Sequence, residues 1–386
     1  LDGNRIDNAL NCLIDFHRPI VEMCHLIKDF EIDTTGRQGI SVLRGKHLTF
    51  KDGLIKNIAG NPGAAIDIEP EEHHADNIMI DNITADSCIV GFLIYGWTGN
   101  NQTPDHITVQ NCTTLNSSST DFNVEFGDNI IIKNNRIFSS GTSTKGLRLY
   151  KCTNSIVEGN YVEGGNIALT IEDTLVTKNI LAGDGAATSS LSVQDVAGQF
   201  TAYRNAVINN NVKDANLNAY SVQFSRINDN AVNNGHLRVR AVHSTVQGNT
   251  IKNSPDYGIK IDYAYSVFNS SNNSVVGNAI YDTQNQSIWI KQEKGGAVSN
   301  NVMFNANLAG NAGNDASYVY LENIDEGTVI GNTAQSDAVN TPVNGVHAPN
   351  TGTTNTVMIG NVVRNYSNAG YVMWWNASCV SANNIS

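Results

Sequence analysis

A chain of 386 residues with a net charge of −12 is a poor partner for nucleic acid, and none of its apolar runs approaches the ~18 residues of a membrane-spanning helix. It exceeds the roughly 250–300 residues at which one compact core stops growing, yet shows no linker, so the expected core is a column and the expected domain a single one over 1–386. Only 16% of the residues are charged, while Asn, Ser, Thr and Gly abound.

The cysteines (Cys12, Cys24, Cys88, Cys112, Cys152, Cys379) show no CxxC or zinc spacing and read as free, buried thiols, with no metal and no cofactor expected. No signal peptide is visible. Both ends are rung-like, and the chain starts at Leu1 without Met. The expectation is a fragment of a longer polypeptide, with its ends covered by caps or by other subunits.

In chain order, one pattern recurs. A short apolar run meets an Asn, an apolar pair follows, then a polar turn, then an alternating strand. The Asn falls at Asn82, Asn111, Asn135, Asn160, Asn210, Asn230, Asn249, Asn278, Asn301, Asn332 and Asn361, with a weaker copy at Asn179; the offsets run from 19 to 31 residues. The alternating strands follow in step: AAIDIEP (64–70), GFLIYGW (91–97), DFNVEFG (121–127), KGLRLYK (145–151), IALTIED (167–173), SLSVQDV (190–196), AYSVQFS (219–225), HLRVRAV (236–242), YGIKIDY (257–263), QSIWIKQ (286–292) and SYVYLEN (317–323). This period is too short for a propeller blade and lacks helical spacing. It fits one rung of an all-β, single-stranded parallel β-helix, a solenoid whose rungs stack over a continuous core. The Asn is expected to tolerate left-handed corner angles and to bond the Asn one rung above and below.

Placing the apolar pair of each alternating strand inward leaves two outward columns. The first reads Asp67, Leu93, Asn123, Arg148, Thr170, Ser192, Ser221, Arg238, Lys260, Trp289, Tyr320. The second reads Glu69, Tyr95, Glu125, Tyr150, Glu172, Gln194, Gln223, Arg240, Asp262, Lys291, Glu322. One stretch gathers the carboxylates Asp67, Glu69, Glu125, Glu172 and Asp173 beside Tyr95, Trp97, Arg148 and Tyr150. Aromatic faces stack on sugar rings, and paired carboxyl groups supply the acid and base of glycoside hydrolysis. Two rungs separate Glu125 from Glu172, and two separate Glu69 from Glu125. Backbones so spaced lie about 9–10 Å apart, within reach of the ~6.5–9.5 Å carboxyl separation of an inverting pair. Either pair fits. The plain alternative is a row of solvated carboxylates on a strand face.

A second, basic stretch holds Arg238, Arg240, His243 and Lys260, with Asp262, Tyr263 and Tyr265 nearby. Cations there suit β-elimination on a uronate polymer, or simply balance charge along a sheet. Glu71, Glu72, His73 and His74 invite a metal reading, but adjacent histidines on a strand point apart. Trp289, Lys291, Tyr320, Trp374 and Trp375 read as outlying sugar contacts or as packing against another subunit.

The stretch DFEIDTTGRQGISVLRGKHLTFKDGLIKNIAG (29–60) and the repeated Gly-Asn-apolar rungs resemble the pectate-lyase-like right-handed β-helix superfamily. Within it, the polar faces and rung-like ends are most similar to bacteriophage tailspikes that degrade capsule or O-antigen. Neither the polygalacturonase motifs nor the Asp-Pro-His-Asp of mannuronan epimerases is present. The resemblance implies a right-handed helix, a homotrimer, a bacterial surface polysaccharide as partner, and an extracellular place on a virion tail. Its motifs carry over no catalytic residue. A polysaccharide depolymerase, hydrolytic rather than eliminative, is the leading expectation; a uronate lyase and a non-catalytic carbohydrate-binding adhesin are the alternatives.

Overall fold

The computed structural model describes residues 5–7, 25–70, 74–97, 103–139, 145–183, 189–194, 202–262, 270–309, 317–337, 344–348, 353–365, 369–373 and 380–385. The chain forms two compact units, residues 1–184 with 189–191, and 185–188 with 192–386. Both are built from one rung, and the fold is a right-handed parallel β-helix. Among the described residues there is no helix, so none is long and apolar enough to cross a membrane.

A typical rung has three strands; in the earliest ones Gly45–Lys56 and Ala75–Asp86 each run through two of these positions as a single long strand. In the first unit Ile156–Glu158, Tyr161–Glu163 and Ile167–Glu172 pair in parallel with Ile131–Lys133, Arg136–Phe138 and Lys145–Thr153 of the preceding rung. In the second unit Thr245–Gln247, Thr250–Lys252 and Ile259–Ile261 pair in the same way with Arg226–Asn228, Ala231–Asn233 and Leu237–Val242. Residues alternate between core and surface along each strand, so in-register stacking makes columns of like side chains. One buried column runs Ile40, Ile66, Phe92, Phe122, Leu147, Ile167. Its two phenyl rings pack tilted at 37°, with centroids 4.7 Å apart. The second unit has its own column, Leu217, Leu237, Ile259, Ile288, Val319, Val346.

The Asn ladder is present, and it divides two jobs that the sequence pattern assigns to one residue. Asn135, Asn160 and Asn179 form a buried run in the first unit; Asn210, Asn230, Asn249, Asn278, Asn301, Asn332 and Asn361 form one in the second. Asn249 is typical. Its amide donates to Asn278 Oδ1 at 3.0 Å and to the Ile227 carbonyl at 2.8 Å, while its own Oδ1 accepts from the backbone and side-chain nitrogens of Asn230. None of these ladder residues has a positive φ. The left-handed turn falls on the residue before, for instance Asn134, Asn209, Asp229, Gly248 and Gly277. Asn82 and Asn111 are turn residues of this second kind, with φ of 55° each. Their amides bond the half-buried Asp52 and Asp81 instead of joining the ladder.

Three of the six cysteines, Cys88, Cys112 and Cys152, lie among the described residues, free and buried; burial pushes each thiol up to about 12.

Candidate functional site

The first unit presents one outward column as expected. Tyr95, Glu125 and Tyr150 lie directly in register. Glu69 stands one place past Ile68, whose partner is Ile94, and so continues the column on the next rung; its N–H bonds the Val42 carbonyl at 3.1 Å. The Glu125 carboxylate is 16% exposed and accepts a short hydrogen bond from Arg148 Nη1. The same guanidinium nitrogen donates to Asn123 Oδ1 at 2.8 Å, and the group lies 4.8 Å from the Tyr150 ring centroid. Trp97 is 48% exposed and packs edge-on against Tyr95 at 5.8 Å.

A corner residue, Phe126, and a bulged strand residue, Lys151, join this face, and the strand pattern reveals neither. Phe126 packs edge-on between Tyr95 (6.0 Å) and Tyr150 (5.6 Å), and Lys151 Nζ lies 5.4 Å from the Phe126 ring. Both take left-handed angles, φ 57° and 53°. Strand alternation predicts where regular strand residues point, but not where a corner or bulged residue goes.

Two corrections concern the carboxylates. Glu172 is not in the Glu125 column. Arg148 pairs with Ala168 and Tyr150 with Thr170; Lys151 is then bulged out, and Glu172 falls opposite Thr153. The bulge lets Cys152 turn inward as a third core residue, matched by Ile171, so the apolar triplet Ile167, Leu169, Ile171 aligns one step earlier than an alternating pair implies. Asp67 keeps its register position beside Leu93 but is fully buried, and accepts from the Gln38 amide at 2.5 Å. A chain segment 29 residues earlier thus covers that end of the first column.

The second unit repeats both outcomes. Arg238, Lys260, Trp289 and Tyr320 are in one column, as expected, and Lys291 pairs with Glu322. Below Arg238 the partner is Asn218 and below Arg240 it is Tyr220, because a bulge between Tyr220 and Val222 displaces Ser221 and Gln223. Asp262, 7% exposed, gathers three cations. Arg238 Nε donates to Oδ2 at 3.0 Å, Arg240 Nε to Oδ1 at 3.0 Å, and Lys260 Nζ lies 3.8 Å from Oδ2. Lys260 Nζ sits 3.5 Å from the Trp289 ring centroid, and both guanidinium groups lie over Tyr220. Burial lowers the Lys260 ammonium, and burial takes His236 down to about 4, which leaves it neutral at physiological pH. His243 is apart from this cluster, stacked on exposed Phe224 at 5.1 Å.

His74 is exposed and its carbonyl accepts from Gly45. Glu71, Glu72, His73, Tyr263, Tyr265, Trp374 and Trp375 lie outside the described residues. Asp76, Asp105 and His106 form a group with metal-ligand chemistry, but His106 Nδ1 already contacts both carboxylates, at 3.2 and 3.0 Å.

No protein-family model matches the chain, and no curated protein matches it in sequence. Among solved structures it is similar to tailspike protein 3 of bacteriophage CBA120, with a TM-score of 0.48 and 11% identity over 92% of this chain and 56% of that one. It thus spans a little over half the length of that tailspike. It is similar also to the A-module of a mannuronan C-5 epimerase from Azotobacter vinelandii (TM-score 0.46, 13% identity, 87% of this chain and 90% of that one). A third is DFA-IIIase from Arthrobacter chlorophenolicus A6 (TM-score 0.46, 14% identity, 78% and 83%). These are likenesses of architecture, and no residue role is taken from them.

Proposed function

We propose that the protein is a depolymerase that hydrolyses glycosidic bonds of a bacterial surface polysaccharide along the outward face of its first unit, with Glu69 and Glu125 as acid and base. The observation that carries this reading is the register column Glu69, Tyr95, Glu125, Tyr150, flanked by exposed Trp97. A sugar ring stacks on Trp97 or Tyr95. Glu125, ion-paired with Arg148, takes a proton from water as that water attacks the anomeric carbon. Glu69 gives its proton to the leaving glycosidic oxygen. The spacing of two rungs, about 9–10 Å between backbones, leaves room for that water and favours inversion.

The working unit in this reading is a tailspike-like homotrimer outside the host cell. Exposed Val302 and Ile330 on the second unit, 48% and 40% accessible, support lateral association. A monomer in light scattering of the intact, full-length protein contradicts the trimer.

The function is tested by incubating the protein with purified capsular and O-antigen polysaccharides and analysing the products. Shortened chains with new reducing ends and no unsaturated uronate are expected. Unsaturated uronate identifies a lyase, and unshortened polymer that nonetheless stays bound identifies an adhesin.

A further inference from the structure

The outward face of the second unit carries a charge imbalance that the protein itself does not resolve. Three cations, Arg238, Arg240 and Lys260, converge on the single carboxylate of Asp262. The exposures are 27%, 27%, 13% and 7%, so water screens the excess poorly. The nearby Asp256 is engaged by the Asn285 amide at 2.7 Å, and Lys291 by Glu322 at 2.9 Å. Arg238 uses Nε and Nη2 on Asp262, and Arg240 uses Nε; the remaining guanidinium donors have no hydrogen-bond acceptor among the described residues. All this occurs in a chain of net charge −12, where an uncompensated positive cluster is the exception.

Polar atoms around the cluster are also unused. Trp289 Nε1 and His236 Nδ1 are buried and lack a hydrogen-bond partner among the described residues. Trp289 and Tyr257 both lie against the Lys260 ammonium, at 3.5 and 5.3 Å from their ring centroids. Arginine edges beside aromatic faces form a common recognition surface for an anionic group carried on a ring.

We infer that the Arg238–Arg240–Lys260 cluster on the second unit binds a negatively charged sugar, and that the glycan this protein recognises is therefore acidic. Arg240 and Lys260 supply the charge-assisted hydrogen bonds to the anionic substituent, while half-buried Tyr220 and Trp289, each already under a cation, flank the ring that bears it. Asp262 holds the two guanidinium groups in place and is a positioning residue. The inference rests on the proposed depolymerase reading only in taking the ligand to be a sugar.

The test is binding to an array of bacterial polysaccharide fragments that includes neutral, uronate-bearing and sulfate-bearing members, so that the source of the anion is read from which members respond. Signal confined to acidic members is expected, falling as salt rises. Arg240→Gln and Lys260→Gln are expected to weaken it by tenfold or more, while Lys260→Arg retains most of it. Thermal melts of each variant separate lost binding from lost folding. Arg240→Gln leaves Asp262 paired with Arg238 and so is expected to fold. Equal binding to neutral fragments overturns the inference, as does unchanged acidic binding by folded Arg240→Gln and Lys260→Gln. Cleavage by the wild-type protein, assayed in parallel on the same fragments, distinguishes the two claims: acidic binding without any cleavage leaves this site standing and removes the depolymerase.

Discussion

The two units show what one scaffold does with opposite charge balances. On the first, one arginine spans one carboxylate, and aromatic rings reach solvent: Arg148, Glu125, Tyr95 and Trp97. On the second, three cations surround one carboxylate, and the rings are largely covered: Arg238, Arg240, Lys260, Asp262, with Tyr257 and Tyr320 buried. The rungs beneath are the same, with inward aliphatic columns and a ladder of buried asparagines. The stacking thus fixes where each outward residue stands, and the outward residue alone sets the chemistry. An open carboxylate–aromatic face suits acid–base work on a sugar; a half-buried cationic face suits capture of an anion.

The largest effect expected from breaking this contrast is catalytic. Glu125→Gln and Glu69→Gln keep shape but remove proton transfer, so turnover should fall by about 10²–10⁴-fold with substrate binding retained. Glu172→Gln, outside the column, should stay within a few-fold of wild type. Equal losses in all three variants, measured by reducing-end release, contradict the register argument.

Next in size is the shared scaffold. Asn160→Ala in the first unit and Asn249→Ala in the second each orphan buried backbone and amide groups of neighbouring rungs. An unsatisfied buried polar group costs about 1–3 kcal/mol, so a loss of about 3 kcal/mol or more is expected for each, read from denaturant unfolding. Asn234→Gly, at an exposed turn with φ 56°, should be nearly neutral. Unequal costs for Asn160 and Asn249 would show that the two units are not built alike.

Smaller again is the aromatic rim. Trp97→Ala should weaken glycan binding by about fivefold, near 1 kcal/mol, with little change in kcat once substrate saturates.

The smallest effect is confined to the first unit. Asp121 is fully buried beside Ser139, and burial raises its carboxyl above the ordinary 3.8. The native state therefore favours the protonated form. Its contribution is complete below 3.8 and is lost as pH rises through the raised value. Asp121→Asn should raise the melting temperature at neutral pH, and the gain should shrink on acidification. A gain that is constant with pH contradicts the assignment.

Much of this architecture is legible in the residues. The Asn spacing marks the ladder down to the weak copy at Asn179, because a buried amide must find partners and only stacking supplies them on every rung. The outward order Arg238, Lys260, Trp289, Tyr320 is legible because no bulge interrupts those strands. What misleads is local. Lys151 and Ser221 each add one residue to a strand, and nothing in their side chains announces it; both take left-handed angles usually left to Gly or Asn. Thr170, Glu172, Ser221 and Gln223 are misplaced for that reason alone. Asp67 is hidden by Gln38, a contact 29 residues distant that periodicity does not reveal. Phe126 and Lys151 complete the aromatic face from a corner and from that bulge, where alternation says nothing.

The most direct test of the central claim is a crystal structure of Glu125→Gln soaked with an oligosaccharide released by the wild-type protein. A glycan is expected on the first unit, with a ring stacked on Trp97 or Tyr95 and a glycosidic oxygen between positions 69 and 125. A glycan seated away from that column, or one that reaches Glu172 and leaves Glu69 and position 125 without contact, contradicts it.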